Sequence, residues 1–126
     1  MDAASHISIR FLIGLSNSLD IKPLEDSHEH HTAAERAAYI RAREETRRAA
    51  AREALSATYR FGAFYDGEGL WQGKREPCMS FEVILADCPQ VREVARNQAR
   101  NLARLLDQDC IGVAIAPVQF TTYGAL

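Results

Sequence analysis

The first predicted element is a half-buried strand near the start of the chain. Positions 7, 9, 11, 13 and 15 are Ile, Ile, Phe, Ile and Leu, and they alternate with positions that are mostly polar or small. A period of two indicates a strand with one buried face. The following residues, 16–31, include Pro23, several acidic residues and three histidines, and they predict a mobile polar loop.

A long helix is predicted next. Thr32 and Glu35 have the spacing of a capping box, and residues 33–57 contain no Gly or Pro and are rich in Ala, Arg and Glu. Gly62 fits the helix stop. The expected inward stripe holds mostly small side chains, so we expect this helix to project in part or to be covered by a second subunit: Ala34, Ala38, Ala42, Thr46, Ala49 and Ala50, with bulk at Tyr39, Ile40, Leu55 and Tyr59.

The remaining elements are a hairpin, a second helix and a last strand. Residues 63–71 and 78–86 predict the hairpin, with turn signals at Gly73 and Pro77. Gly67 and Gly69 predict a bulge or bend in its first strand. Residues 89–106 predict the helix, with Asp87 as N-cap, and residues 110–118 predict the strand.

This order of elements predicts one α+β domain spanning residues 1–126. The expected fold is a ferredoxin-like β-α-β-β-α-β sandwich, a four-stranded antiparallel sheet with two helices on one face. No apolar run reaches the roughly 18 residues of a membrane span. The N-terminal residues lack the pattern of an export signal, and the three cysteines fit reduced thiols. We therefore expect a cytoplasmic protein without membrane contact.

Charge is distributed unevenly, although the net charge is only −2. The two predicted long helices hold ten Arg and five Glu, whereas the rest of the chain holds five basic and twelve acidic residues. One helical layer is therefore expected to be basic, which affects the choice of partner and not the fold.

Three segments carry a resemblance to known proteins: residues 11–15, residues 69–77 with the sequence GLWQGKREP, and residues 107–113 with the sequence DQDCIGV. Together they resemble small, mostly uncharacterised ferredoxin-like proteins of phages, plasmids and bacteria. The resemblance implies the fold and a mobile-element origin. The resemblance assigns no catalytic role to any residue of this chain.

Two surfaces are candidates for binding a partner. Arg92, Arg96, Arg100 and Arg104 follow one another at four-residue spacing and predict a ridge on the second helix, to which Arg43 and Arg47 of the first helix are added. Such a ridge is either a solvated face or a footprint for phosphate or acidic protein. The predicted hairpin tip combines Trp71 with Lys74 and Arg75, a composition suited to protein contact or to closing one end of the core.

Evidence for catalytic or metal chemistry is weak in the sequence. The histidines of residues 28–31 match no structural zinc module, and no nucleophile stands beside a base. Arg10 and Glu82 are expected to meet as a cross-strand ion pair. No metal site and no cofactor are predicted.

The sequence favours a non-enzymatic protein that binds a host macromolecule, for example an inhibitor of a bacterial defence complex of the anti-CRISPR type. The alternative is a module that binds a small molecule or nucleic acid on the open sheet face or the Arg-rich helical face. A third hypothesis is a small enzyme of the dimeric ferredoxin-like type. A homodimer is compatible with all three.

Overall fold

A computed structural model describes residues 5–17, 20–27 and 29–125. In chain order the elements are β1 (His6–Gly14), α1 (Lys22–Glu25), α2 (Ala33–Thr58), β2 (Ala63–Trp71), β3 (Lys74–Ala86), α3 (Pro89–Leu105) and β4 (Gly112–Val118). The strands pair antiparallel in the order β2-β3-β1-β4. The predicted α+β class and four-stranded antiparallel sheet are confirmed.

The core lies between one face of the sheet and the two long helices. The buried positions of β1 and β3 follow the expected alternation and belong to one cluster with the buried positions of α2 and α3. The other sheet face carries no helix among the described residues. The cluster comprises Ile7, Ile9, Phe11, Ile13, Leu15, Ala51, Leu55, Met79, Phe81, Val83, Ala95, Leu102 and Leu106.

The buried face of α2 differs in part from the predicted one. Thr32 and Glu35 form the expected capping box, but the buried residues are Arg47, Ala51 and Leu55. The prediction is confirmed in the second half of the helix, where Leu55 is buried and Ala50 and Tyr59 pack against the core. It is wrong for the smaller residues before them, which are exposed: Ala34, Ala38, Ala42, Thr46 and Ala49. Arg47 turns inward because its guanidinium is bound by the carboxylate of Asp20. Residues 33–46 contain no buried position, so the first half of the helix is uncovered, as expected.

The β2–β3 hairpin is tighter and longer than the sequence indicated. Its turn is Gln72-Gly73, both at positive φ (49° and 79°), which is the pattern of a type I′ turn. Strand β3 therefore begins at Lys74 and not at Cys78. The register runs without interruption, so the bulge predicted at Gly67 and Gly69 is absent.

An aromatic cluster joins the end of α2 to the sheet. The Tyr59 ring lies 5.5 Å from the Phe81 ring, and its buried hydroxyl has no hydrogen-bond partner among the described residues. Gly62 has a φ of +150°, and a Cβ there would stand 2.3 Å from Cζ of Phe81. The predicted helix stop thus also allows the chain to pass close over this ring.

The connection between β1 and α2 is anchored in a way that the sequence did not predict. Asp20 is buried, and α1 follows it.

The start of α3 differs from the prediction. Cys88 occupies the N-cap position, and Asp87, which was predicted there, instead pairs with Arg92.

Within the described residues, none of the helices is both long and apolar enough to cross a membrane.

Candidate functional site

The predicted arginine ridge lies on the outer side of α3, and carboxylates offset the charge of two of its four arginines. Arg92 pairs with Asp87 at 2.9 Å, and Arg96 pairs with Glu93 at 3.1 Å. Arg100 donates a hydrogen bond to the Asn97 side chain. Arg104 is exposed. Because each carboxylate offsets a neighbouring cation, the ridge is a weaker phosphate footprint than its arginine count implies.

Arg43 and Arg47 of α2, which were predicted to add to this ridge, differ in exposure. Arg43 is half-exposed, with its Nε 4.0 Å from an oxygen of Asp20. Arg47 is buried and donates hydrogen bonds to the Leu15 and Leu106 carbonyls as well as to Asp20. Its assignment to a binding surface was therefore wrong. The cause is a non-local ion pair that sequence spacing does not reveal.

The hairpin tip is exposed on both faces. Trp71 is 63% exposed and Leu70 is 74% exposed. Lys74 lies directly opposite Trp71, and Arg75 lies directly opposite Leu70. Trp71 thus does not close one end of the core, and each face of the tip presents an apolar side chain beside a cation.

Two shallow depressions lie beside Arg43 and Asp107, with volumes of about 170 and 100 Å³. The larger is lined by Asp20, Pro23 and Tyr39 as well. Both are below the roughly 300 Å³ at which small-molecule pockets begin. They do not enclose a site for a nucleotide-sized ligand.

The open sheet face offers a larger unobstructed area. Directly paired residues share a face, so Gly14, Cys78 and Gly67 lie side by side across β1, β3 and β2. We use the name glycine floor for the four glycines on this part of the face. A Cβ at Gly67 would meet no described atom within 4 Å, whereas one at Gly14 would stand 3.3 Å from the Gln108 side chain and one at Gly112 would stand 3.3 Å from Cβ of Leu12. The glycine floor consists of Gly14, Gly67, Gly69 and Gly112.

A tyrosine and a glutamate border the glycine floor. Tyr65 is 53% exposed and precedes Gly67 by two residues on the same face. Glu76 is half-buried and lies directly opposite Gly69. At about 3.3 Å per residue, Tyr65 and Glu76 stand about 13 Å apart along the strands. Trp71 and Lys74 continue this face toward the hairpin tip.

Three other polar groups of the open face are either paired with each other or protonated at neutral pH. Arg10 and Glu82 form the predicted cross-strand pair at 2.7 Å. Burial, with Asp66 and Glu68 nearby, raises the pKa of the Cys78 thiol, so it is protonated at neutral pH and is a poor nucleophile.

The grouping of possible metal ligands is described for residues 5–17, 20–27 and 29–125. In that part, no three His, Cys, Asp or Glu side chains are grouped to hold a metal ion. His31 lies 3.3 Å from Glu35 at the start of α2. His28 lies outside the described residues.

Comparisons with known proteins relate the chain to a fold but to no sequence family. No protein-family profile and no curated protein match it. A phage SAM lyase in complex with S-methyl-5′-thioadenosine matches with a TM-score of 0.53 at 12% identity, over 93% of this chain and 84% of that chain. A phage SAM lyase in its apo state matches with a TM-score of 0.46 at 14% identity, over 87% and 78% of the two chains. At such low identity the likeness establishes a shared fold.

The likeness does not test the expectation of a non-enzymatic protein, because at this identity it establishes the fold alone. Tyr65 and Glu76 on the open face had not been predicted as site residues. The sequence feature that could have indicated this surface is the pair Gly67 and Gly69, since glycine in a strand also marks close approach of a ligand.

Proposed function

We propose that this protein binds S-adenosylmethionine (SAM) or a closely related sulfonium nucleoside on the glycine floor and cleaves it. The observation that carries the proposal is an uncovered floor bordered by an exposed tyrosine, Tyr65, and a half-buried carboxylate, Glu76. A fold shared over 93% of the chain with a SAM lyase supports it.

The chemistry of these groups suits such a ligand. A purine ring stacks on an aromatic side chain, and a glycine in a strand lets a planar group approach the backbone at that position. The positive sulfonium is attracted by aromatic faces and by a carboxylate. Tyr65 is assigned to the base and Glu76 to the cation.

Cleavage of a carbon–sulfur bond would change this balance of charges. The carboxylate of the amino-acid part of SAM supplies the attacking oxygen, so a C–O bond forms and closes a lactone as the C–S bond breaks. The electron pair of the broken bond goes to sulfur, and the sulfonium becomes the neutral thioether S-methyl-5′-thioadenosine. Glu76 then loses its Coulombic attraction for the ligand. The same carboxylate that favours substrate binding therefore does not retain the product.

The experiment is direct incubation of the purified protein with SAM, followed by chromatography. The expected result is loss of SAM with the appearance of S-methyl-5′-thioadenosine, together with a raised melting temperature at saturating SAM. The proposal would be contradicted if SAM were not consumed and the melting temperature did not change.

A second proposal keeps the function expected from the sequence, docking on a host macromolecule such as a bacterial defence complex. The specific observation in its favour is the exposed hairpin tip, where Trp71 lies opposite Lys74 and Leu70 opposite Arg75. Trp and Arg, both present at this tip, are enriched among the residues that contribute most to binding at protein interfaces. The arginine ridge of α3 is the candidate for nucleic acid instead.

Capture from a host lysate distinguishes these surfaces when it is done with variants. We expect a partner to be retained by the natural chain and by Arg96→Ala/Arg100→Ala, but lost by Trp71→Ala. Loss with the arginine variant alone, together with strongly salt-dependent binding, would point to nucleic acid. Equal retention by all variants would contradict docking through the tip.

A further inference from the structure

The segment after β4 has the composition of a strand but is unpaired. Residues 119–125, QFTTYGA, contain no charged side chain, and Phe, Thr and Tyr all favour strands. Every one of these residues is exposed, and Tyr123 is 90% exposed. Within the described residues, their backbone makes no hydrogen bond. A segment of this kind gains from any partner that completes its hydrogen bonds.

The same molecule has an available sheet edge. Strand β2 is nine residues long and lies at one end of the sheet order. Among the described residues no strand pairs with its outer side, so that side presents N–H and C=O groups for pairing. The opposite edge, β4, carries Pro117, a residue that blunts edges. On β2 the protective charges are Asp66 and Glu68.

One of these two charges is already neutralised. The Asp66 carboxylate accepts hydrogen bonds from Arg48 at 3.0 Å and from Arg52 at 2.9 Å. Glu68 is therefore the charge left to discourage pairing. Two β2 strands paired symmetrically about Gly67 would set Asp66 of each copy against Glu68 of the other, which is unfavourable. An uncharged strand meets no such repulsion.

We propose that residues 119–125 of a second copy of this chain add a strand to the outer edge of β2. The donor must be another copy because β2 and β4 are opposite edges, about 14 Å apart across three strand spacings. The segment is held on the β4 side, where the Phe120 ring lies 5.6 Å from the ring of His6. This inference does not depend on the proposed function.

Each copy offers one segment and one edge. Two copies can therefore exchange segments reciprocally in a two-fold dimer, or the pairing can continue head-to-tail into a larger ring or an open chain of copies. Trp71 ends β2 and is the single tryptophan of the protein. Its emission therefore reports directly on the acceptor edge.

The test compares two double variants with the natural chain by light scattering and Trp71 emission over a concentration series. Thr121→Pro/Thr122→Pro removes two adjacent N–H groups, one of which must point at the edge in an extended strand. Thr121→Ala/Thr122→Ala is the matched control that keeps both. We expect the natural chain and the alanine variant to double their apparent mass or more and to shift Trp71 emission to the blue. The proline variant should stay monomeric.

A peptide of residues 118–125 provides the reciprocal measurement. Added to the proline variant, it should restore the blue shift of Trp71, whereas a peptide with the same two prolines should not. The proposal is overturned if the natural chain is monomeric throughout the series, if the proline variant associates as the natural chain does, or if the peptide leaves Trp71 emission unchanged.

Discussion

Arg47 holds both carboxylate oxygens of Asp20, with its two terminal nitrogens at 2.6 and 2.5 Å from them and both side chains 5% exposed. Its Nε and one terminal nitrogen also donate to the Leu106 and Leu15 carbonyls, each at 2.9 Å. One side chain thus joins α2 to the ends of β1 and α3 and to the start of the connection at Asp20.

Removing one partner of this pair is expected to be strongly destabilising. Asp20→Ala leaves a buried guanidinium without its counter-charge, and we expect the free energy of unfolding to fall by about 3–5 kcal/mol. Chemical denaturation measures the change. Arg43→Ala is the control, since Arg43 is half-exposed and lies 4.0 Å from the same carboxylate. A loss of equal size in both variants would contradict the central role of Arg47.

The same pair predicts a loss of stability in acid. Burial raises the pKa of Asp20, but hydrogen bonds from Arg47 and from the Asn17 backbone outweigh it and leave the pKa below the ordinary value of 3.8. A carboxyl with a lowered folded-state pKa stabilises the protein above its unfolded pKa, and this contribution disappears as the pH falls through the folded pKa. Stability should therefore decline below about pH 4.

The Asp20→Asn variant isolates this contribution. It cannot ionise, so its unfolding free energy should depend less on pH in the acid range than that of the natural chain. Asp109→Asn, at an exposed position, should leave the acid profile unchanged. Parallel profiles for the natural chain and Asp20→Asn would show that other groups govern acid unfolding.

Glu76→Gln is predicted to reduce SAM turnover without unfolding the protein. Loss of the negative charge beside the glycine floor should lower kcat/KM at least about tenfold, which corresponds to about 1.4 kcal/mol. The matched control is Glu93→Gln, because Glu93 is exposed on α3 in the helical layer. Equal activity of the two variants would remove Glu76 from the proposed site.

Two glycines are predicted to tolerate a methyl group very differently. Gly62→Ala should lower the free energy of unfolding by about 1–3 kcal/mol, because its Cβ would overlap the Phe81 ring. Gly67→Ala should change it by less than about 0.5 kcal/mol, since nothing lies within 4 Å. Thermal unfolding compares them. Gly67→Ala should still weaken SAM binding, which separates the floor's role in binding from a role in folding.

Tyr59→Phe is expected to leave stability unchanged or to increase it by about 1 kcal/mol. The hydroxyl it removes is buried without a described partner, and such groups are costly. The ring contacts with Phe11 and Phe81 are kept. Tyr59→Leu, which loses these contacts, is the comparison, and a marked loss of stability with Phe would indicate that the hydroxyl is bound.

The sequence was sufficient for the layers of this fold because alternation and capping are local signals. The period of two in β1 and the Thr32–Glu35 box correctly placed their elements. The burial of Arg47 in α2 was not predicted because it depends on Asp20, 27 residues earlier in the chain. No spacing rule within the helix contains that information.

The candidate site was harder to predict for a related reason. Tyr65 and Glu76 border one surface only because β2 pairs with β3 in a register that places Gly69 opposite Glu76. The shift of the turn from residues 73–77 to Gln72-Gly73 decides this register. The glycines themselves were visible, but they were interpreted as a bulge.

The uncovered first half of α2 has a consequence for the cooperativity of the protein. Residues 33–46 contribute no buried side chain, whereas Arg47, Ala51 and Leu55 hold the second half against the sheet. Local fraying there costs little, so its amides exchange with solvent far sooner than those of the anchored half. This half-helix is consequently a natural attachment point for labels or fusions, because changes to it leave the folded layers intact.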